Sequence, residues 1–245
     1  MSHSSKWIPL HVHSQYSILD ASAPIKSLAK RAADYQMSAL ALTDHGNLFG
    51  CIEFYKACKK EGVKPIIGCD IYVAPGNRTD KNKERRARAA YSLVLLAKNV
   101  KGYHNLCKLS SVGYLEGFYY YPRVDYESLK RYSEGIVCLS GGTASRIGSA
   151  IADNREEEVM ALIKQEQEIF GDDYYFELQR HPMSQEDLQA DGMLQESWLI
   201  QKYDDYIKRQ NTVNDRLITI ARQEQIKLVA TNDSHYLNRD DWKAH

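Results

Sequence analysis

Apolar and polar positions along this chain fall into short runs of the kind that form buried strands, separated by stretches with helical spacing. Seven apolar runs read as strands: residues 7–12, 39–42, 65–73, 91–97, 135–139, 174–178 and 227–231. Between them, Ile25, Leu28, Ala29 and Ala32 recur at three- and four-residue intervals to about Tyr35, behind Pro24 in a helical first turn. Asn47 reads as the cap of a second helix carrying Phe49, Ile52, Phe54, Tyr55 and Ala57, which ends near Gly62. Further helices are predicted over 102–114, 144–153 and 156–170, and a long polar, helix-favouring segment over 184–225. Strand and helix alternate about seven times with no linker, so one domain over 1–245 and a parallel sheet, open or closed into a barrel, are expected. An open doubly wound sheet would place a glycine-rich phosphate loop after its first strand. Here that position holds His11-Val12-His13-Ser14-Gln15-Tyr16, which favours the barrel.

Composition narrows the picture. Hydrophobic residues make up 43 % of the 245, enough for a sizeable core, and the formal net charge is zero, so no global field draws in nucleic acid or an anionic membrane. No apolar run has the length of a membrane span, and the N-terminus lacks the apolar stretch of a signal peptide. Five scattered cysteines without a C-x-x-C pair suit reduced thiols in the cytoplasm. The chain stops in what looks like the start of a helix, so a longer protein is expected. Residues 75–90 are a charged loop in which Arg78, Lys81, Lys83, Arg85, Arg86 and Arg88 outnumber Asp80 and Glu84. It is either a solvated loop or a contact to DNA phosphates or a partner subunit. The aromatic run 116–123 is expected to pack under a loop, with base stacking as the other reading.

The chemistry sits at the strand ends. His11 and His13 are two apart on the first strand and point the same way. The second strand runs into Asp44 and His45, the third holds Asp70, the last runs into Asp233 and His235, and Asp20 follows the first histidine pair. In βα barrels, functional groups collect at the C-terminal ends of strands. A mixed set of imidazoles and carboxylates suits zinc, manganese or iron(II), and there are more ligands than one tetrahedral ion needs. Neighbouring ions could clamp a phosphate and activate water. His104 and His181 read as surface or supporting groups, and Asp44 and Asn232 as turn or capping residues.

These residues resemble the PHP (polymerase and histidinol phosphatase) domain. The likeness is carried by His11-Val12-His13, Leu19-Asp20, Thr43-Asp44-His45-Gly46-Asn47-Leu48-Phe49-Gly50, Lys64 to Gly68, and Ala230 to Tyr236. Glu53 to Lys56, Tyr114 to Tyr119 and Leu139-Ser140-Gly141 are similar to the branch found at the N-terminus of bacterial DNA polymerase III alpha subunits. The resemblance implies an α/β fold, a distorted seven-stranded (β/α)7 TIM-like barrel. It also implies a phosphoesterase or 3′–5′ exonuclease-type site in which metal-activated water, and no named side chain, does the chemistry. Polymerase palm, thumb and fingers would follow beyond His245, making the whole protein a DNA-directed DNA polymerase. DNA and other replicase subunits, including a proofreading subunit, would be its partners, and a free-standing PHP phosphatase is the alternative. The family pattern uses nine ligands for up to three ions. Seven positions match: His11, His13, Asp20, His45, Asp70, Asp233 and His235, with Asp70 standing where glutamate is usual. The resemblance assigns His11, His13, Asp70 and Asp233 to one ion, and Asp20, His45 and His235 to another. Ser92 and Gly142 stand where a histidine and a cysteine or histidine are usual. The implied site is therefore partly degenerate, with one or two ions at most, or none, and weak or purely structural.

Overall fold

The computed structural model describes residues 7–81 and 89–244. Eight strands and eight helices follow in chain order among these: α1 (Ile25–Asp34), β1 (Ala39–Leu42), α2 (Cys51–Lys60), β2 (Lys64–Val73), β3 (Tyr91–Ala97), α3 (Val100–Leu115), β4 (Phe118–Tyr119), β5 (Tyr121–Val124), α4 (Tyr126–Arg131), β6 (Ile136–Leu139), α5 (Arg146–Ala152), α6 (Glu156–Phe170), β7 (Tyr174–Gln179), α7 (Gln185–Ala190), α8 (Ser197–Glu224) and β8 (Lys227–Thr231). They build one curled mixed sheet, a half-barrel with helices on its outer face. The α/β class and most predicted elements stand. α1 buries the expected Ile25, Leu28, Ala29 and Ala32.

Three local differences matter for the site. First, β3 runs antiparallel to both of its neighbours, β2 and β6, while β1–β2, β6–β7 and β7–β8 are parallel. β3 therefore starts at the end of the sheet where the parallel strands finish. Second, the predicted first strand is an extended segment with only an isolated bridge, Val12 to Ser234. It still spans the gap between the sheet's edges. The Pro9 and Val12 carbonyls accept from the Ala41 and Thr43 amides on one side. On the other, the His11 carbonyl accepts from the Ser234 amide and the His13 amide donates to the Ser234 carbonyl. Pro9 has no N–H to give, which limits how regular this pairing can be. Third, Asn47 does not cap α2, whose N-cap is Gly50. Its side chain accepts from the Phe49 amide and donates to the Tyr16 and His45 carbonyls, so it ties the loop carrying His45 to the loop after His13.

The period of two along each strand sorts the sheet into faces. Ile71, Val73, Leu93, Leu95, Ile136, Cys138, Tyr174 and Phe176 pack outward into the main core with α3, α5, α6 and α8. A second core gathers Val12, Leu40 and Leu42 with α1 and α2. The alternate positions face inward, where Ala41, Val94, Leu96 and Leu139 form a small apolar floor. On this inner face, toward the strand ends, stand Asp70 and Tyr72 on β2, Ser92 at the start of β3, and Glu177 and Gln179 on β7. The antiparallel course of β3 explains how Ser92, an N-terminal strand residue, reaches the same rim.

Candidate metal centre

Four histidines converge at this rim. Ring centroids lie 5.0 Å apart for His11 and His13, 4.1 Å for His13 and His45, and 4.3 Å for His13 and His235. Carboxylates interleave with them. Asp233 Oδ1 is 3.0 Å from His13 Nε2 and 3.2 Å from His11 Nε2. Asp70 Oδ2 is 3.1 Å from His45 Nδ1 and 3.5 Å from His11 Nε2. Asp20 stands at the outer edge, half exposed, 4.0 Å from His45 Nε2. All seven residues predicted as ligands are thus brought together. Among the described residues, donor atoms of His11, His13 and Asp70 lie within 4.8 Å of one another, as do those of His13, His45 and His235. The first grouping falls within one of the two ion sets implied by the resemblance; the second crosses them, because it adds His13 to His45 and His235.

Three of the imidazoles are oriented by the partner of Nδ1. His11 Nδ1 lies 2.7 Å from Glu177 Oε1, which accepts its proton. Ser17 Oγ donates to Asp44 Oδ1 at 2.7 Å and so accepts from His13 Nδ1 at 3.0 Å. His235 Nδ1 donates to the Asp233 carbonyl at 2.9 Å. Each bond leaves the Nε2 lone pair available, which is how protein partners prepare histidine for a metal ion. His11 Nε2 and His45 Nδ1 are buried without a hydrogen-bond partner of acceptable geometry among the described residues. Such orphaned nitrogens facing carboxylates fit a divalent ion.

Charge balance points the same way. Burial lowers the His11 pKa, but the nearby Glu177, Asp233 and Asp70 outweigh it and raise the pKa well above the usual imidazole value. Burial, with His11 and His45 nearby, pushes His13 down to about 3. Burial opposes ionisation of Asp70 and Asp233, yet the surrounding imidazoles hold both below the carboxylate range. The cluster lines an open cavity of about 330 Å³. Among its described lining residues three are aspartates and none is lysine or arginine.

Residues 9–181, well over half of the chain, match the PHP domain family. This chain belongs to that family. As a PHP domain it is 49 % identical over 239 residues to the DNA polymerase III subunit alpha of Chlamydia muridarum, covering 98 % of this chain and 19 % of that one. It is 44 % identical over 244 residues to the same subunit of Borreliella burgdorferi, and 39 % identical over 247 residues to that of Aquifex aeolicus, again covering 19 % of each relative. The chain therefore spans about a fifth of the length of these relatives. Among solved structures it is similar to a protein from Bifidobacterium adolescentis described as a metal-dependent phosphoesterase, with a TM-score of 0.52 at 13 % identity over 93 % of this chain and 87 % of that one. An amidohydrolase from Chromobacterium violaceum gives 0.52 at 14 % identity, over 95 % and 89 %. At such identities these likenesses establish the fold.

The remaining expected residues fall in several places in this PHP domain. Ser92 Oγ donates to Asp70 Oδ1 at 2.5 Å. Gly142 adopts φ +55°, and a Cβ there would stand 2.5 Å from Gln179 Oε1. Asp44 is buried and accepts from the Ser14 amide and from the Ser14 and Ser17 hydroxyls, so it braces the loop, as a turn residue does. Arg78 is committed to Glu116 and Asp125 at 2.7 and 2.9 Å. Lys81 is exposed, and Lys83, Arg85, Arg86 and Arg88 lie outside the described residues. His181 supports the site from outside. Its Nε2 donates to the Asn232 carbonyl at 2.7 Å, one residue before Asp233. No helix among the described residues is long and apolar enough to cross a membrane.

Sequence reasoning missed Glu177, Gln179 and Ser17. Glu177 is fully buried and its Oε1 also accepts from Thr231 and Gln179. Its signal was available: a charged residue at an alternating position inside an apolar strand needs a buried partner.

Proposed function

We propose that this PHP domain, over residues 1–245, belongs to a DNA polymerase III alpha subunit working in DNA replication in the cytoplasm, with palm, thumb and fingers following it. Its pocket descends from a metal-dependent phosphoesterase or 3′–5′ exonuclease site and retains one or two ions, with weak hydrolysis or a purely structural role. The near full-length identity to alpha subunits supports the first statement. One observation supports the second: at both positions where the family pattern has a further ligand, the space that ligand's side chain would use is taken up by protein groups. The Ser92 hydroxyl is spent on Asp70, and the Gln179 carboxamide occupies the space above Gly142.

His11, His13, Asp70 and Asp233 would hold one ion, and Asp20, His45 and His235 would help hold another, of zinc, manganese or iron(II). Such an ion supplies Lewis-acid polarisation of a phosphoryl oxygen and acidifies water. The chain's own residues do the rest. Glu177, Ser17 and the Asp233 carbonyl keep protons on the Nδ1 atoms of His11, His13 and His235. A cavity lined by three carboxylates and no lysine or arginine among the described residues repels a phosphate unless a cation intervenes, so substrate access depends on the metal. DNA reaches the domain through the full polymerase. Lys81 and the basic run Lys83, Arg85, Arg86 and Arg88 are proposed to meet DNA or another replicase subunit, such as a proofreading subunit, while Arg78 is held internally.

The test combines metal content with activity. Purified protein is expected to hold one or two equivalents of ion and to lose several degrees of melting temperature on chelation, with 3′-end release at or near background. Robust release abolished by His11→Ala would overturn the degenerate reading. Metal-free protein whose melting curve ignores both chelator and added ion would overturn the metal reading.

A further inference from the structure

A ladder of aromatic rings leads out of the cluster. His13 faces His45 at 4.1 Å and 30°, His45 faces Tyr72 at 5.7 Å and 23°, and Tyr72 faces Tyr121 at 4.7 Å and 34°. The first rung is fully buried, whereas Tyr121 is 44 % exposed. Both tyrosines line the cavity. Strand geometry puts them there. Tyr72 is two residues after Asp70 on β2 and so shares its inward face, directly opposite Ser92 on β3. Gly46 leaves room for its ring, since a Cβ there would lie 3.3 Å from Tyr72 Cδ2. Tyr121 follows the tight β4–β5 turn, made by Tyr120 at φ +61°, a conformation that glycine adopts more cheaply. Its cross-strand partner Tyr119 packs with Arg123, whose guanidinium donates to the Ala89, Arg78 and Asp80 carbonyls at the root of the charged loop. The aromatic run therefore splits: Tyr119 packs under a loop, and Tyr121 faces the cavity.

The lining has no lysine or arginine among the described residues, so beyond the pull of the His/Asp cluster and its ion on phosphate, further affinity must come from neutral contacts. A half-exposed ring backed by a second ring offers one kind, a stacking surface. We propose that Tyr121, with Tyr72 behind it, is the base-stacking subsite of this cavity and selects a nucleotide over a bare sugar phosphate. This rests on the phosphoester reading of the cluster, and it identifies the ligand as a nucleoside monophosphate unit whose phosphate addresses the His/Asp group.

The test is calorimetric titration of the manganese-loaded chain with thymidine 5′-monophosphate and, separately, with 2-deoxyribose 5-phosphate. The nucleotide is expected to bind about tenfold more tightly, the scale of one base–aromatic contact. Tyr121→Ala should bring the two affinities together without changing that of the sugar phosphate, and Tyr121→Trp should keep the preference. Equal affinities in the wild type, or a preference that survives Tyr121→Ala, would overturn the stacking subsite and leave the cluster reading intact. If neither probe binds, the pocket is left with the purely structural role and the stacking subsite falls. Tyr121 is half exposed, and the Trp variant separates loss of stacking from loss of fold.

Discussion

At Gly142 the backbone turns through φ +55°, and the end of the Gln179 side chain lies where a ligand side chain would begin. Under the proposed reading of Ser92 and Gly142 as altered ligand positions, restoring them therefore takes more than two substitutions. Gly142→Cys meets Gln179, and even with that side chain moved aside the left-handed backbone costs on the order of 1 kcal/mol for a residue with a Cβ. Ser92→His with Gly142→Cys is expected to leave the metal content unchanged. Adding Gln179→Ala to the pair should raise it by one equivalent, as read by elemental analysis. An extra ion already present in the double variant would show that Gln179 yields freely. At this scale much of the site was legible, because histidines and aspartates at the ends of apolar runs announce themselves. The roles of Glu177 and Ser17 were not: a charge inside an apolar run marks Glu177 as needing a buried partner but does not name His11, 166 residues away, and nothing marks Ser17 as the acceptor for His13.

Among the elements, α8 links directly to the chain beside the site. Asn214 Nδ2 donates to the Gln179 carbonyl at 2.7 Å, and Gln210 Oε1 accepts from the His181 amide at 2.9 Å. Both glutamine and asparagine are buried on the helix's inner face. Asn214→Ala strands a buried carbonyl, at a cost of about 1–3 kcal/mol, and is expected to lower the melting temperature by roughly 5 °C in a protein of this size. Thr212→Ala, on the exposed side of the same helix, should shift it by under about 2 °C. Equal shifts would mean that the Asn214 bond carries no stability. Helix positions were readable because their apolar residues repeat at fixed spacing, as over Glu156–Phe170. Strand direction was not. Alternating strands and helices imply parallel pairing, yet residues 75–90 supply no helix-spaced apolar face to cross over with, and β3 returns antiparallel. The extended run before His13 looks like a strand in sequence because its side chains alternate, whereas its backbone pairs only intermittently.

Across the molecule, stability depends on pH through a carboxyl remote from the His/Asp cluster. Glu166 is buried beside the main core and accepts from the Tyr126 and Tyr174 hydroxyls, each at 2.8 Å. Burial lifts its pKa from 4.5 to about 7, against those hydrogen bonds and Arg146. A folded pKa above the unfolded one means that the folded chain binds more protons in between. The contribution is fully present below about pH 4.5 and is lost as pH rises through 7, a change of about 3 kcal/mol. Glu166→Gln is expected to gain on the wild type over that window, measured as the difference between their urea midpoints from pH 4.5 to 8. Taking the difference removes the opposite trend from Asp70 and Asp233, whose depressed pKa values cost stability as pH falls. A flat difference would place Glu166 near its unfolded pKa.

The segment that closes the sheet also sets an order of events. His13 and Asp233 meet across 220 residues of chain. Bringing such distant points together is entropically expensive until the strands between them have paired. The proposed ligand set is therefore expected to be completed late in folding, within walls already built. An ion taken up at this site, as proposed, is then expected to select a finished cavity and to act on the rate of coming apart rather than on the rate of assembly, as unfolding and refolding rates with and without manganese would show.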